Sequence, residues 1–255
     1  MKHWKENILA PLAFTVALIL LWELACVLFK LPATVLPTPS AVAKAMVQYW
    51  PAIWDNSLQT LMTTLLGFGL AIVFGLVLGV VIGWSKLIYG ALYPVMIAFN
   101  AVPKVAVVPI LIIWFGIGTI PAIFTAFLIS FFPIVVNVAT GLATTEPELQ
   151  DVLRALGASK LDVVRKVGIP RSMPYFFGSL KVAITLAFVG SVVSETIGAN
   201  SGLGKMMLDA QAGFNVELVF AGVAALAILG IALYAVTALV EKRFTGWAFR
   251  AEGIG

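Results

Sequence analysis

The sequence is poor in the residues that build disulfides, metal centres and hydrophilic surfaces. It holds one cysteine and one histidine in 255 residues, and only 11% of its residues are charged. Because Cys26 is the single cysteine, no intramolecular disulfide can form. With His3 as the only histidine, a metal site would depend on carboxylates alone, so we expect no metal ion.

Sequence motifs of the common enzyme classes are missing as well. The chain has no complete Walker motif, no HExxH and no GxSxG. Gly202, Gly204 and Lys205 resemble part of a phosphate loop, but Ala199 and Met206 stand where that motif requires Gly and Ser or Thr. We therefore expect no catalytic residues and no cofactor, and we interpret this segment as a glycine turn before a surface helix.

Apolar residues are abundant instead: 61% of the chain is hydrophobic, and the mean hydropathy is +1.05. Such a composition is typical of a protein that lives in a bilayer rather than in water. The basic leader and the apolar stretch after it could be a signal peptide. That stretch is about 22 residues long and lacks a small-x-small cleavage site, which favours an uncleaved membrane span.

Six segments are long and apolar enough to cross a hydrocarbon core about 30 Å thick. The chain is therefore predicted to be an all-α integral membrane protein, with a single transmembrane domain over residues 1–255. Several prolines between positions 94 and 133 interrupt the third and fourth segments, whose ends are the hardest to place. The predicted spans are 8–29, 58–83, 88–115, 119–143, 175–197 and 216–240.

The distribution of Lys and Arg predicts the orientation. Eleven of the sixteen lie in the leader, the second and fourth connections and the tail, whereas the first and fifth connections hold three and the third holds none. By the positive-inside rule this asymmetry places both termini in the cytoplasm. Because an even number of spans is then required, the asymmetry also favours six spans over five.

The second span carries small residues four positions apart. In a bilayer, small residues let two helices approach closely and gain packing energy. The stripe predicts a central helix, although glycine is also common in membrane helices generally. Its members are Gly67, Ala71, Gly75, Gly79 and Gly83, of which the last three are predicted to form the packing ridge.

A polar stretch, residues 145–170, is predicted to fold as two short helices around Gly157. Thr145 can cap the first helix, and Leu149, Val152, Leu153 and Leu156 repeat at the spacing of one apolar helix face. Gly157 is placed to end that helix in a left-handed conformation. Ser159 and Asp162 form a capping-box pattern for the second helix, which we expect to close at Gly168 before Pro170.

The spacing within this hairpin resembles the cytoplasmic signature of binding-protein-dependent ABC importer permeases. That EAA motif has the form EAA, three residues, G, nine residues, I-x-L-P. In this chain the matching positions keep charged or apolar character, with Asp for Glu, Val-Leu for Ala-Ala, and Val and Ile for Ile and Leu. The resemblance implies ATPase coupling by Asp151, Val152, Leu153, Leu156, Gly157, Ala158, Val167, Ile169 and Pro170.

Further stretches are similar to the nitrate, sulfonate and taurine branch of these permeases. They are LWEL, LPTPSAV, VPKVAVVPILIIWFGIGTIPAIF and SETIGANSGLG. The resemblance implies a bacterial inner-membrane subunit paired with a second permease copy. It also implies two cytoplasmic ATPase subunits, an extracytoplasmic solute-binding protein and no nucleic-acid partner. The resemblance favours a small oxyanion or sulfonate as the transported solute. The same branch also looks able to carry pyrimidine precursors, vitamins and aromatic acids, because the binding protein does most of the selection.

Four ionisable residues lie in or near the predicted spans, where charge is costly and often functional. Lys104, between Pro103 and Pro109, is the main candidate for the pathway of an anionic solute, although its side chain could equally reach the outer interface. Asn100 and Glu195 are further candidates for the pathway. We expect mainly structural roles for Lys181 and Glu195, near opposite ends of the fifth span. Glu23 could pair with another helix or line a subunit interface.

Two other functions were weighed against the permease. An intramembrane enzyme would need a nucleophile and a base at membrane depth, and the sequence offers no such pair. An ion-coupled secondary transporter commonly shows repeated halves with interrupted helices at matching positions. No matching Gly or Pro interruption relates spans one to three to spans four to six, and the polar hairpin occurs once.

Overall fold

The computed structural model describes residues 2–143, 152–153 and 155–246, and every regular element within them is helical. The order is α1 (Lys2–Leu28), α2 (Pro39–Gln48), α3 (Trp50–Gly83), α4 (Lys86–Ala101), a 3-10 turn (Lys104–Val107), α5 (Val108–Phe115), α6 (Thr119–Ala143), α7 (Lys160–Val163), a π turn (Val164–Gly168), α8 (Ile169–Gly198), α9 (Leu203–Ala212) and α10 (Val216–Thr245). These elements confirm the predicted all-α fold.

Among the described residues, five continuous helical stretches are long and apolar enough to cross a bilayer. They are residues 9–28, 50–83, 119–143, 161–198 and 216–245. The predicted third span is not one straight helix, because α4 and the segment from Lys104 to Phe115 meet at a bend of 74°. Counted together, those two pieces form the sixth span. Pro103, which lacks a backbone N–H, lies at this break.

The predicted end of the second hairpin helix at Gly168 was wrong. The chain continues from α7 through the π turn into α8, so the fifth span begins well before residue 175. Pro170 directly follows the π turn, where backbone bonds reach five residues back, as from the amide of Ile169 to the carbonyl of Val164. This local change in hydrogen bonding lets the helix continue past a residue without an N–H.

Helices α3, α6 and α8 form the centre of the bundle. A Cβ atom built on Gly75 would lie 2.7 Å from the Cγ2 atom of Ile134, and one built on Gly79 would lie 2.6 Å from the Cβ atom of Val138. A Cβ atom built on Gly190 of α8 would lie 3.1 Å from the Cα atom of Ala126 on α6. Small residues thus bring both neighbours into backbone contact with α6.

The sequence PTPSAVAKAMVQYW predicts a short amphipathic helix with Ser40 as its N-cap, and the structure corrects the identity of that cap. Helix α2 is capped by Thr38, whose hydroxyl accepts from the amide of Ala41 at 3.2 Å, and not by Ser40. Ser40 instead donates to Glu23 of α1, from its hydroxyl at 2.8 Å and from its amide at 3.0 Å. Glu23 therefore ties the first span to the short helix that follows it.

Helix α9 is more buried than the predicted surface helix. Leu203 and Met206 belong to an apolar cluster with residues of α2, α3 and α10, and Leu203 is fully buried. Helix α9 therefore packs between the ends of three spans. Because α8 has 30 residues and a length of about 45 Å, α9 and the hairpin lie at opposite ends of that helix.

Candidate functional site

The described part of the hairpin turns at Gly157. Gly157 has a φ of +82°, in the left-handed region that favours glycine. The amide of Ala158 donates to the carbonyl of Leu153 at 2.9 Å, which is the long backbone bond of a Schellman ending. The predicted coupling residue Asp151 and the predicted cap Thr145 lie outside the described residues.

The second half of the hairpin begins with the predicted capping box. The hydroxyl of Ser159 donates to Asp162 at 2.6 Å, and the amide of Asp162 donates back to that hydroxyl at 3.2 Å. Val163 is buried, and a Cβ atom on Gly168 would lie 3.2 Å from Leu142 of α6. This half therefore rests on the end of the central bundle. Three further predicted coupling residues line the start of α8 or the turn before it: Val167, Ile169 and Pro170.

Apolar side chains on the hairpin are exposed. Val152 is 57% exposed and Leu156 is 78% exposed, and they are one helical turn apart. Leu161, on the second half, is also exposed. Charged residues are interspersed with them along the sequence of the hairpin. The exposed side chains of Val152, Leu156 and Leu161 are here called the hairpin patch.

Lys104 lies at the break of the third span. Its ammonium donates to the side-chain oxygen of Asn100 at 2.8 Å and to the Asn100 carbonyl at 3.2 Å. The same Nζ atom lies 5.7 Å from the ring centroid of Phe132 on α6, within range of a cation–π contact. The structure thus places Asn100 next to Lys104, and their part in a pathway stays a prediction.

A cavity of about 490 Å³ lies beside Lys104, bounded by α3, α4, α6 and the 3-10 turn. Lys104 is the one ionisable residue among those that line it; the others are apolar or aromatic, including Met96, Phe99, Phe131 and Phe132. At the break the backbone leaves helical hydrogen bonding, which in a bilayer is tolerated only beside protein or water. The cavity face is therefore not a simple lipid-facing surface.

Glu195 is separated from this cavity and is almost completely buried, at 1% exposure. Its Oε2 atom accepts from the hydroxyl of Thr60 at 2.8 Å and from the amide of Gly204 at 3.1 Å, and the hydroxyl of Thr63 lies 3.3 Å from Oε1. Ser191 forms a close hydroxyl pair with Thr63. In this conformation Glu195 joins α3, α8 and α9 and is not accessible to a solute.

Lys181 forms an ion pair with Glu241 of α10, at 2.6 Å between Nζ and Oε2. The sequence predicts a structural role for Lys181 but does not identify Glu241 as its partner. Close to the pair, the rings of Phe177 and Phe244 stack with centroids 5.3 Å apart. The ion pair and the stacked rings fix α8 against α10 near the hairpin end of the bundle.

Comparison with known proteins identifies the family. Residues 71–246 match the family model described as the inner membrane component of binding-protein-dependent transport systems. The match covers more than half of the chain, so the chain belongs to this family. It is the permease component of a binding-protein-dependent ABC importer and not the ATPase, and the family places it in a complex with ATPase subunits. The secondary transporter and intramembrane enzyme weighed from the sequence are therefore excluded.

Several curated relatives resemble the chain over most of its length. The formylaminopyrimidine transport permease ThiX of Halalkalibacterium halodurans is 30% identical, over 94% of this chain and 96% of that protein. The riboflavin transport permease RibX of Chloroflexus aurantiacus is 33% identical, over 90% and 87%. The putative aliphatic sulfonate permease SsuC of Bacillus subtilis is 29% identical, over 98% and 90%. The sulfonate branch predicted from sequence is among these relatives.

A solved structure supports the fold. An inward-facing structure of the MetNI methionine ABC transporter contains a chain that superposes with a TM-score of 0.67, at 21% identity, over 78% of this chain and 98% of that chain. Sequence reasoning identified the family but missed the contacts of Glu195. The acidic side chain of Glu195 next to the glycine-rich sequence GANSGLG was a sign of a buried contact. Its partners on α3 could not be found from the sequence, because they are more than 130 residues away in the chain.

Proposed function

We propose that this protein forms the translocation pathway for a small organic anion of the sulfonate or taurine type. The observation that carries the proposal is Lys104, a cation held by Asn100 beside an otherwise apolar cavity at a broken span. An ammonium group beside apolar walls attracts an anion more strongly than it would in bulk water. The likeness to the aliphatic sulfonate permease supports the same solute class.

The proposed assembly contains two copies of this chain, two ATPase subunits and one extracytoplasmic binding protein, in a bacterial plasma membrane. Both termini and the hairpin lie in the cytoplasm, as the distribution of cationic residues favours. The hairpin patch docks in a groove of the ATPase, and closure of the ATPase pair moves α7 and α8 as one continuous element. The face around Lys104, which lipid alone cannot cover, lines the path between the two copies.

The solute is tested first on the solute-binding protein of the proposed assembly. Calorimetric titration with taurine, an alkanesulfonate, nitrate, riboflavin and formylaminopyrimidine compares the solute classes. The proposal expects binding of taurine or the alkanesulfonate. Binding of riboflavin or formylaminopyrimidine alone would assign the chain to an importer of heterocycles. The aromatic residues that line the cavity and the likeness to ThiX and RibX favour that alternative.

The role of Lys104 is tested by uptake of that solute into proteoliposomes containing the whole transporter. Lys104→Gln removes the charge and should reduce uptake at least about tenfold, the effect of roughly 1.4 kcal/mol on the passage of the anion. Lys104→Arg keeps the charge and should retain most of the uptake. Equal uptake by wild type and Lys104→Gln would remove Lys104 from the pathway.

A further inference from the structure

Helix α9 has an N-terminus that it cannot cap by itself. The residue before its first turn is Gly202, which has no side chain to accept a hydrogen bond. The first amides of a helix have no partner within the helix, and leaving them unpaired in a buried position is unfavourable. Leu203 and Gly204, which carry two of these amides, are both buried. Their partners must therefore come from elsewhere in the fold.

Two other helices supply these partners. The amide of Gly202 donates to Asn56 at 2.8 Å, the amide of Leu203 donates to the hydroxyl of Thr60 at 2.9 Å, and the amide of Gly204 donates to Glu195 at 3.1 Å. Three consecutive amides are thus bound by side chains of α3 and α8. The Thr60 hydroxyl also donates to Glu195, so two of the three acceptors are connected to each other.

The start of α9 also packs closely against α8. A Cβ atom on Gly204 would lie 2.5 Å from the carbonyl oxygen of Val192, so the helix start touches the backbone of α8. The position of Gly202 requires glycine for its φ of +112° and also abuts the carboxyl group of Glu195. The Glu195 network thus contributes to the orientation of α9 together with this packing.

One side of α9, next to the Asn56 end of this network, carries accessible polar residues. A pocket of about 520 Å³ beside it is lined by Asn56, Asn200, Lys205, Asp209 and Asn215 among others, and Lys205 is paired with Asp209. A surface with amides and charges of both signs suits a water-soluble protein rather than lipid chains. In the proposed orientation this face looks outward, where the solute-binding protein approaches.

Phe214 lies in the turn after α9, one residue before Asn215 of this pocket, and is 86% exposed. It has a φ of +54°, an uncommon conformation for a residue with a side chain. An exposed aromatic side chain is typical of the anchors of protein interfaces.

We propose that Glu195 is a positioning residue: it caps α9 from α8 and thereby fixes the outer face of α9 to which the solute-binding protein docks. The proposal rests on the proposed orientation and assembly. Glu195 touches neither solute nor binding protein in this arrangement. Loss of the network frees α9 to tilt, which weakens docking of the binding protein without changing the steps that follow docking.

The test measures ATP hydrolysis by the reconstituted transporter against the concentration of the solute-loaded binding protein. Thr60→Val removes the hydroxyl that binds both Glu195 and Leu203, and Thr60→Ser restores it. Thr60→Val should raise the half-saturating concentration of binding protein about tenfold, as expected for the loss of connected hydrogen bonds. Its maximal rate should stay within about twofold of wild type, and Thr60→Ser should behave like wild type.

Other outcomes overturn the inference. A lower maximal rate with an unchanged half-saturating concentration would place Glu195 in the transport step itself. Equal effects of Thr60→Val and Thr60→Ser would indicate a packing role. If Thr60→Val does not assemble, Glu195→Met decides, since it removes the acceptor that Thr60 and Gly204 share while keeping a similar volume. At least about a threefold rise in the half-saturating concentration is expected, and no rise contradicts the inference. If ATP hydrolysis by the wild-type transporter does not depend on the binding protein, the proposed function itself is contradicted.

Discussion

Gly79 of α3 and Val138 of α6 pack so closely that a Cβ atom on Gly79 would lie 2.6 Å from the Cβ atom of Val138. Real Cβ atoms do not approach at such distances, so the two backbones must separate if a side chain is added. The contact repeats along both helices, with Gly75 against Ile134 and Gly83 against Leu142. It sets the spacing of the central bundle on which the hairpin and Lys104 depend.

Gly79→Ala should therefore destabilise the protein by about 1–3 kcal/mol, the usual result of overpacking a close contact. The matched control is Gly69→Ala on the same helix, because nothing lies within 4 Å of a Cβ atom at Gly69. Thermal unfolding in detergent compares the two variants with wild type. Equal midpoints for Gly79→Ala and Gly69→Ala would show that α3 and α6 can separate without loss.

The Lys181–Glu241 ion pair should contribute a measurable coupling between α8 and α10. Both side chains are largely removed from solvent, at 28% and 14% exposure. Removing one partner leaves the other charge without compensation. A double-mutant cycle with Lys181→Met and Glu241→Gln should give a coupling of about 0.5–3 kcal/mol in unfolding experiments. Additive single and double variants would mean that the pair has no energetic role.

The orientation predicts which positions a membrane-impermeant maleimide can reach in intact cells. Cysteines are introduced singly into a Cys26→Ala protein at Leu156, Val47 and Phe214, whose native side chains are 78%, 78% and 86% exposed. The cysteines at 47 and 214 should react from outside, and the one at 156 only after the membrane is opened. Labelling of the cysteine at 156 in intact cells would contradict the proposed orientation.

Gly157 should tolerate only residues that accept a positive φ. Gly157→Val places a branched side chain in a conformation that is disfavoured by about 1–2 kcal/mol, whereas Gly157→Asn is accepted more readily there. No atom lies within 4 Å of a Cβ atom at this position, so the effect comes from backbone strain and not from a clash. Co-purification of the ATPase should fall for Gly157→Val and persist for Gly157→Asn. Equal recovery with both would mean that the turn conformation is unimportant.

The apolar runs predicted most of the bundle because hydropathy and length are local properties. The predicted fourth span, 119–143, coincides with α6, and the break near Lys104 follows from the prolines around it. The start of the fifth span was misplaced because Pro170 was interpreted as a stop signal. A proline in a first helical turn gives the same sequence pattern, and only the path of the backbone through the π turn distinguishes them.

The network around Glu195 could not be predicted because it depends on distant contacts. Thr60 and Thr63 are ordinary residues of an apolar helix, and nothing in their local sequence marks the carboxylate they bind. The cap of α2 failed for a related reason: Ser40 has the right chemistry, but its hydroxyl is used by Glu23, which leaves Thr38 as the cap. Which hydroxyl binds which group is decided by tertiary packing.

The most direct test of the proposed coupling role is ATP-driven uptake by reconstituted transporter that carries Leu156→Asp. Leu156 is exposed within the hairpin patch, so a charge there leaves the bundle intact while opposing an apolar docking site. Val47→Asp is the control, because Val47 of α2 is also 78% exposed but lies outside the hairpin. We expect Leu156→Asp to reduce both uptake and binding-protein-stimulated ATP hydrolysis at least about tenfold, the effect of roughly 1.4 kcal/mol at a docking contact. Val47→Asp should retain both activities. Full uptake by Leu156→Asp would contradict the coupling role of the hairpin.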